Sequence, residues 1–273
     1  MESSAGTRTP TRRRPAMRTP PTTLRLAAIA VAALVLGCCS QDVTEPSSAG
    51  VSHADPPPAI DAKRVGIEDF NPDDFVGGVD NPLFPLPLGR RLIYRGTGDG
   101  EPMRVVTDVT RQHKTILGVP VVVVLDRVFV SGELAELTFD WYAQDRHGNV
   151  WYFGEDTKEF EDGEVVSTAG SFEAGKNGAR AGIIMRAHPK VGLTTPQESA
   201  PGVAEDQARV VDKNVTVSVP YGTLRHCIKT AEFTPLEPDV LENKWYCRGV
   251  GIARERDVRG GSVTTELTEI VQR

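Results

Sequence analysis

The chain has 273 residues, of which 39% are hydrophobic, 25% charged and 6% aromatic, enough for one large domain or two small ones. It is too polar for a polytopic membrane protein and too apolar to be disordered throughout. Its 31 basic residues against 37 acidic ones argue against a nucleic-acid binder.

Residues 1–37 carry Arg8, Arg12, Arg13, Arg14, Arg18 and Arg25 against the single acid Glu2. An apolar run of 11 residues, Leu26 to Leu36, follows and ends in Gly37-Cys38. A basic stretch, a short apolar run and a small residue at the cut make a bacterial export signal. The run is too short to stay as an anchor helix, which needs about 20 residues. Arg12-Arg13 lacks the following apolar pair of a twin-arginine signal. Met17 opens a compact signal of its own, so the true start is Met17 or Met1.

Val35-Leu36-Gly37-Cys38 resembles the lipobox of bacterial lipoproteins. The resemblance implies removal of residues 1–37 and a diacylglyceryl group on the Cys38 thiol, with Cys39 as second candidate. Without residues 1–37 the net charge moves from −6 to −11, because six arginines and one acid leave. An acidic body is repelled by anionic headgroups, so the expected membrane attachment is through the lipid, on the extracytoplasmic face. Residues 38–65, with Ser47-Ser48-Ala49-Gly50 and Pro56-Pro57-Pro58, hold almost no large apolar side chain and read as a disordered tether. Residues 66–273 read as one β-rich extracytoplasmic domain.

The segment Asn81-Pro82-Leu83-Phe84-Pro85-Leu86-Pro87-Leu88-Gly89 excludes helix and central strand through its prolines. Its four large apolar residues are expected to cover one end of a core as an extended strap. From Arg90 on, turn signals stand at Asp99-Gly100, Ser131-Gly132, His147-Gly148-Asn149, Asp162-Gly163 and Gly260-Gly261. Leu137, Phe139, Trp141 and Ala143 alternate with Thr138, Asp140, Tyr142 and Gln144. Val215, Val217 and Val219 alternate with Asn214, Thr216 and Ser218. Period two with one apolar face predicts an antiparallel sheet that is wet on one side. Val119 to Leu125 is apolar on both faces and predicts a central strand. Gly202 to Asp212 is the one stretch ambiguous between helix and strand. The expected class is all-β: a single antiparallel meander of about ten or eleven strands, curled into a half-barrel, a barrel or a sandwich.

Cys227 and Cys247 flank the turn Pro235-Leu236-Glu237-Pro238-Asp239, with Glu237 midway between them. In a regular hairpin they face each other at about 4.5–5.5 Å between Cα atoms, within disulfide range. Export places them where disulfides persist. With no CxxC pattern, and with His226 pointing away from Cys227 on a strand, a structural disulfide is favoured over a metal or redox pair. A bulge in either arm would shift the register.

The stretch Asp140 to Glu155 holds two of the three Trp and two of the five Tyr residues. As a hairpin it places Trp141 and Trp151 on neighbouring strands. Phe139, Trp141, Tyr142, Trp151 and Phe153 are candidates for an aromatic-lined ligand pocket, although cross-strand core packing is the stronger reading of the same residues. Asp140, Tyr142 and Gln144, on the opposite face, read either as plain surface or as the polar lining of a concave sheet. Together with Asp80-Asn81-Pro82, Phe84-Pro85-Leu86, Gly182-Ile183-Ile184-Met185 and Val219-Pro220-Tyr221-Gly222, this stretch resembles an uncharacterised family of secreted bacterial proteins, over roughly residues 80–270. That resemblance implies no activity.

Catalytic patterns are thin. The five His residues lack metal-ligand spacing, and GxSxG, P-loop and GxGxxG motifs are absent. The acidic run Glu155 to Glu164 lacks an EF-hand pattern and reads as a solvated hairpin. No catalytic residue, metal or cofactor is assigned. The expected role is a non-catalytic binding or scaffold module of the cell envelope, with a hydrophobic small molecule or an envelope protein as partner. An open apolar concave face lined by Phe139, Trp141 or Trp151 would mark it. The alternatives are a hydrolase of envelope polymers or sugars, marked by two converging carboxylates, and a structural surface protein whose sheet is filled by its own side chains.

Overall fold

A computed structural model describes residues 70–273. The expected export signal, Cys38 lipidation site and tether lie outside the described residues. After a 3-10 turn at Pro72–Asp74 come β1 (Phe75–Val76), β2 (Arg90–Gly98), β3 (Glu101–Ile116), β4 (Val119–Val130), β5 (Glu133–Asp145) and β6 (Val150–Glu161). Then follow β7 (Glu164–Ser167), β8 (Phe172–Glu173), β9 (Arg180–Met185), β10 (Thr194–Pro196) and β11 (Glu198–Ser199). Five long strands complete the chain: β12 (Gln207–Val219), β13 (Gly222–Thr234), β14 (Glu237–Cys247), β15 (Gly251–Arg259) and β16 (Thr264–Gln272). The described residues include no α-helix, and the ambiguous stretch after Gly202 runs into β12.

The strands form one antiparallel sheet. From β2 to β6, and again from β12 to β16, each strand pairs with the next. The last strand returns to the first long one, with Leu267 opposite Tyr94. On the other side β6 pairs with β9, β9 with β11, and β10 with β12. Only Gln197 separates β10 from β11. The meander thus wraps into a barrel whose seam is the segment 194–199.

Tight turns drive this order. Asp99-Gly100, Leu117-Gly118, Ser131-Gly132 and Asp162-Gly163 all have positive φ at both residues. That geometry matches the right-handed twist of the flanking strands. The seam needs a different device. A Cβ on Gly182 would stand 2.1 Å from the Gln197 carbonyl oxygen, so only glycine lets the seam backbone come this close to β9.

The proline-rich segment is a strap over one barrel end. Leu83, Phe84 and Leu86 are buried, while Leu88 is 44% exposed. Asn81 anchors the strap: its Nδ2 donates to the Gly148 carbonyl at 2.8 Å, and its backbone N–H donates to Gln144 Oε1 at 2.7 Å. Gln144 Nε2 in turn donates to Asp80 Oδ1 at 2.6 Å. On the far rim, the Gly249 N–H donates to the Pro82 carbonyl at 2.7 Å.

The disulfide Cys227–Cys247 is present, with Cα atoms 4.0 Å apart. Ile228 faces Tyr246, which sets the two cysteines opposite each other one step further. The turn itself is not centred on Glu237, because Thr234 pairs with Glu237. A bulge between Glu232 and Thr234 absorbs the difference, so two departures from a regular hairpin cancel.

A polar chamber inside the barrel

The alternation in β5 is inverted relative to a core-facing strand. Its apolar residues Phe139 and Trp141 lie on the outer face, in a cluster with Phe153, Trp151, Phe70 and Phe75. The rings of Phe70 and Phe153 are 5.3 Å apart, and those of Phe75 and Trp151 are 5.9 Å apart. The Lys114 ammonium sits 3.3 Å over the Trp141 ring. Phe70 and Phe75 thus cover this outer patch. Of the five aromatics considered for a ligand surface, only Tyr142 lines the interior cavity. The expected open apolar trough is replaced by a capped chamber whose lining is partly polar and partly apolar.

The inward positions of β5 and its neighbours carry acids. Glu136, Asp140, Glu155, Glu198, Glu232 and Glu255 are buried, and Lys244 is the only buried Lys or Arg among the described residues. Its Nζ lies 3.3 Å from Glu232 Oε2, 3.3 Å from Glu242 Oε2 and 3.6 Å from Glu255 Oε1. Burial works against the ammonium, but the three glutamates more than offset it and raise the Lys244 pKa well above its ordinary value. The same crowding acts on the acids in the opposite sense. Burial first, opposed by Lys244 and reinforced by neighbouring carboxylates, pushes Glu255 up to about 7. The Glu232 carboxylate also accepts from the Tyr246 hydroxyl at 2.9 Å and the Thr230 hydroxyl at 2.8 Å.

A second acid group sits around Tyr152. Its hydroxyl is 2.7 Å from both Asp140 Oδ1 and Glu155 Oε2. A phenol has one proton to donate. The two carboxyls therefore compete for the one phenol proton. Burial, and then the charge of Asp126, raises Asp140 to about 7; burial and Asp140 raise Glu155 well above the carboxylate range. Burial also lifts Glu136 to about 8, although the Thr138 hydroxyl donates to it at 2.9 Å. Both Glu198 carboxyl oxygens, Glu155 Oε1 and Gln197 Nε2 are buried without a hydrogen-bond partner among the described residues. An ionised group in that position is costly, so burial, reinforced by Asp206, pushes the Glu198 pKa well above the carboxylate range.

Between the two acid groups and the strap lies a cavity of about 110 Å³. Phe84 and Leu86 roof it; Tyr142, Tyr152 and Tyr246 wall it; Asp126, Asp140, Lys244 and Glu255 reach its polar side. Tyr142 and Tyr152 stack at 4.8 Å, and the Phe84 ring stands edge-on to Tyr142 at 5.2 Å. No group of His, Cys, Asp and Glu among the described residues has metal-binding geometry.

Two solved structures are similar in fold. One, from Bacteroides fragilis, is described as a candidate exported protein with a YmcC-like fold; it is 17% identical, with a TM-score of 0.43 over 69% of this chain and 98% of its own. The other, from Parabacteroides distasonis, is described as a candidate lipoprotein; it is 14% identical, with a TM-score of 0.39 over 70% of this chain and 99% of its own. No protein-family model matches the chain, and no curated protein matches it.

The inward acids of β5 were visible in the sequence only as the polar half of an alternation. Asp140 and Tyr142 proved to line the concave side. No local pattern in the sequence groups Glu136, Glu155, Glu198, Glu232, Glu242, Lys244 and Glu255 as a set. They come together because six strands, from β5 to β15, turn these side chains inward. The one available signal was that Phe139 and Trp141 share a strand with Glu136 and Asp140, so one of the two faces had to be buried against type.

Proposed function

We propose that this chain is an exported, lipid-attached barrel of the bacterial cell envelope that binds a small organic cation in the chamber beneath its strap. One observation carries the binding reading: the rings of Phe84, Tyr142, Tyr152 and Tyr246 and the Asp140 carboxyl converge on a cavity of about 110 Å³. Aromatic faces and a desolvated carboxylate both attract an ammonium group. The Lys244 charge is already matched by three glutamates, so ionised Asp140 supplies the field at the cavity. A space this small does not admit a polymer chain, which weakens the hydrolase alternative. Export and lipid attachment rest on residues 1–38, and the disulfide suits an oxidising compartment.

The test is calorimetric titration of the exported protein with ethylammonium and tetramethylammonium chloride, with glycerol and acetate as controls, at pH 6 to 8. The cations are expected to bind and the controls not. Ionised Asp140 is the binding form, among Asp126, Glu155, Lys244 and the three tyrosines. Affinity therefore rises about tenfold per pH unit below about 7 and levels off above. Asp140→Asn flattens that profile. Cation binding no tighter than that of glycerol would sink the reading.

A further inference from the structure

Beside the strap, on the outside of the barrel, lies a cleft of about 430 Å³ that shares no lining residue with the chamber. Its titratable lining is all basic: Lys213, Arg248, His188 and His226, with no acid among the lining residues. In a chain that carries more acidic than basic residues, this is a local reversal of sign. The side chains of His188, His226 and Arg248 have no hydrogen-bond or ion-pair partner among the described residues. Lys213 Nζ donates only to the Pro189 carbonyl, at 2.9 Å, which leaves two of its three protons free. The floor is apolar, with Leu83 and Ile228 both buried.

The backbone here is held in an unusual state. Asn214 and His226 both line the cleft, and both have φ in the left-handed region, at 59° and 58°. Asn214 sits at the β12–β13 register shift between Lys213 and Val215, and His226 at the next one, between Val215 and Val217. Such bulges re-aim side chains, and strained residues persist where the surrounding structure holds them. Lys213 and His226 share this one cleft with Arg248, which follows the end of β14.

We propose that this cleft binds a small phosphomonoester-type dianion. The Arg248 guanidinium offers the planar fork that matches phosphate oxygens, Lys213 adds a point charge, and the imidazoles add N–H donors. The apolar floor takes the organic part of the ligand. The same chemistry is presented by a free phosphorylated solute and by a phosphatidic acid headgroup, and the acidic body favours the soluble source, because it is repelled by anionic bilayers.

The full chain, purified after export, would be titrated with phenyl phosphate by calorimetry and tested for flotation with vesicles of phosphatidic acid in phosphatidylcholine. Lys213→Gln/Arg248→Gln is compared with Arg95→Gln, an exposed arginine on β2, as control. The expected result is phenyl phosphate binding that weakens about tenfold per cation removed, roughly a hundredfold in the double variant, with the control unchanged. Flotation with phosphatidic acid alone, lost in the double variant only, assigns the same dianion site to a lipid source. Absence of both, or binding that the double variant leaves intact, overturns the proposal. Unchanged thermal melting of the variant separates lost binding from lost fold.

Discussion

Replacing Glu136 by Gln isolates what one buried carboxyl does to this barrel. Glu136 is 5% exposed, and its pKa rises from 4.5 to about 8 on folding. The folded state therefore keeps a proton that the unfolded chain releases between these values, and stability falls as pH rises from 4.5 to 8. At pH 5 the site costs less than about 1 kcal/mol; at pH 8 it costs about 4 kcal/mol. Gln has the shape of the protonated acid and can still accept from the Thr138 hydroxyl, whose Oγ1 is 2.9 Å from Glu136 Oε1. Glu136→Gln should thus be nearly neutral at pH 5 and more stable than the parent at pH 8. Urea unfolding at both pH values, followed by far-UV dichroism, reads this directly. The same difference at both pH values, or a variant less stable at pH 8, would refute the assignment of Glu136 as a buried, proton-holding acid.

Three further substitutions probe other parts. Lys244→Met leaves Glu232, Glu242 and Glu255 facing one another without their counter-charge; the expected loss is about 3–5 kcal/mol in denaturant unfolding, larger at pH 8 than at pH 5. Gly182→Ala drives a methyl group to 2.1 Å from the Gln197 carbonyl, so it should cost about 3 kcal/mol and raise hydrogen exchange at residues 194–199 before anywhere else. Replacing Cys227 and Cys247 by Ser opens a loop with 20 residues of sequence separation, and should lower stability by about 3 kcal/mol, matched by reducing the parent with dithiothreitol. A parent insensitive to the reductant would mean that the bond contributes nothing.

Where local chemistry decides structure, the sequence is readable. Asp99-Gly100, Ser131-Gly132 and Asp162-Gly163 announce their turns because glycine supplies positive φ cheaply and aspartate or serine tolerates it. Leu117-Gly118 makes the same turn with a leucine at φ 51°, and no residue preference flags it; the pairing of Ile116 with Val119 imposes it. The strap was legible because its prolines cannot join a ladder. The chamber was not. Whether Asp140 faces water or the barrel axis depends on which side of β5 the strands curl toward, and that is settled by β14 and β15, a hundred residues downstream. The covering of Trp141 and Phe153 by Phe70 and Phe75 is equally non-local.

The pairing of β16 with β2 bears on how the molecule is made. Arg90 meets Gln272, so the first long strand waits about 180 residues for its partner. At roughly 5–20 residues per second, synthesis of that stretch takes on the order of 10–40 s. For all of that time one edge of β2 has no neighbour, and an unpaired edge is a template for association with other chains. Closure cannot begin before β16 exists, so the barrel stays open while the intervening strands are made. A chain that must stay open until its last strand arrives is also one that can be threaded through a translocation pore in an extended state and closed on the far side.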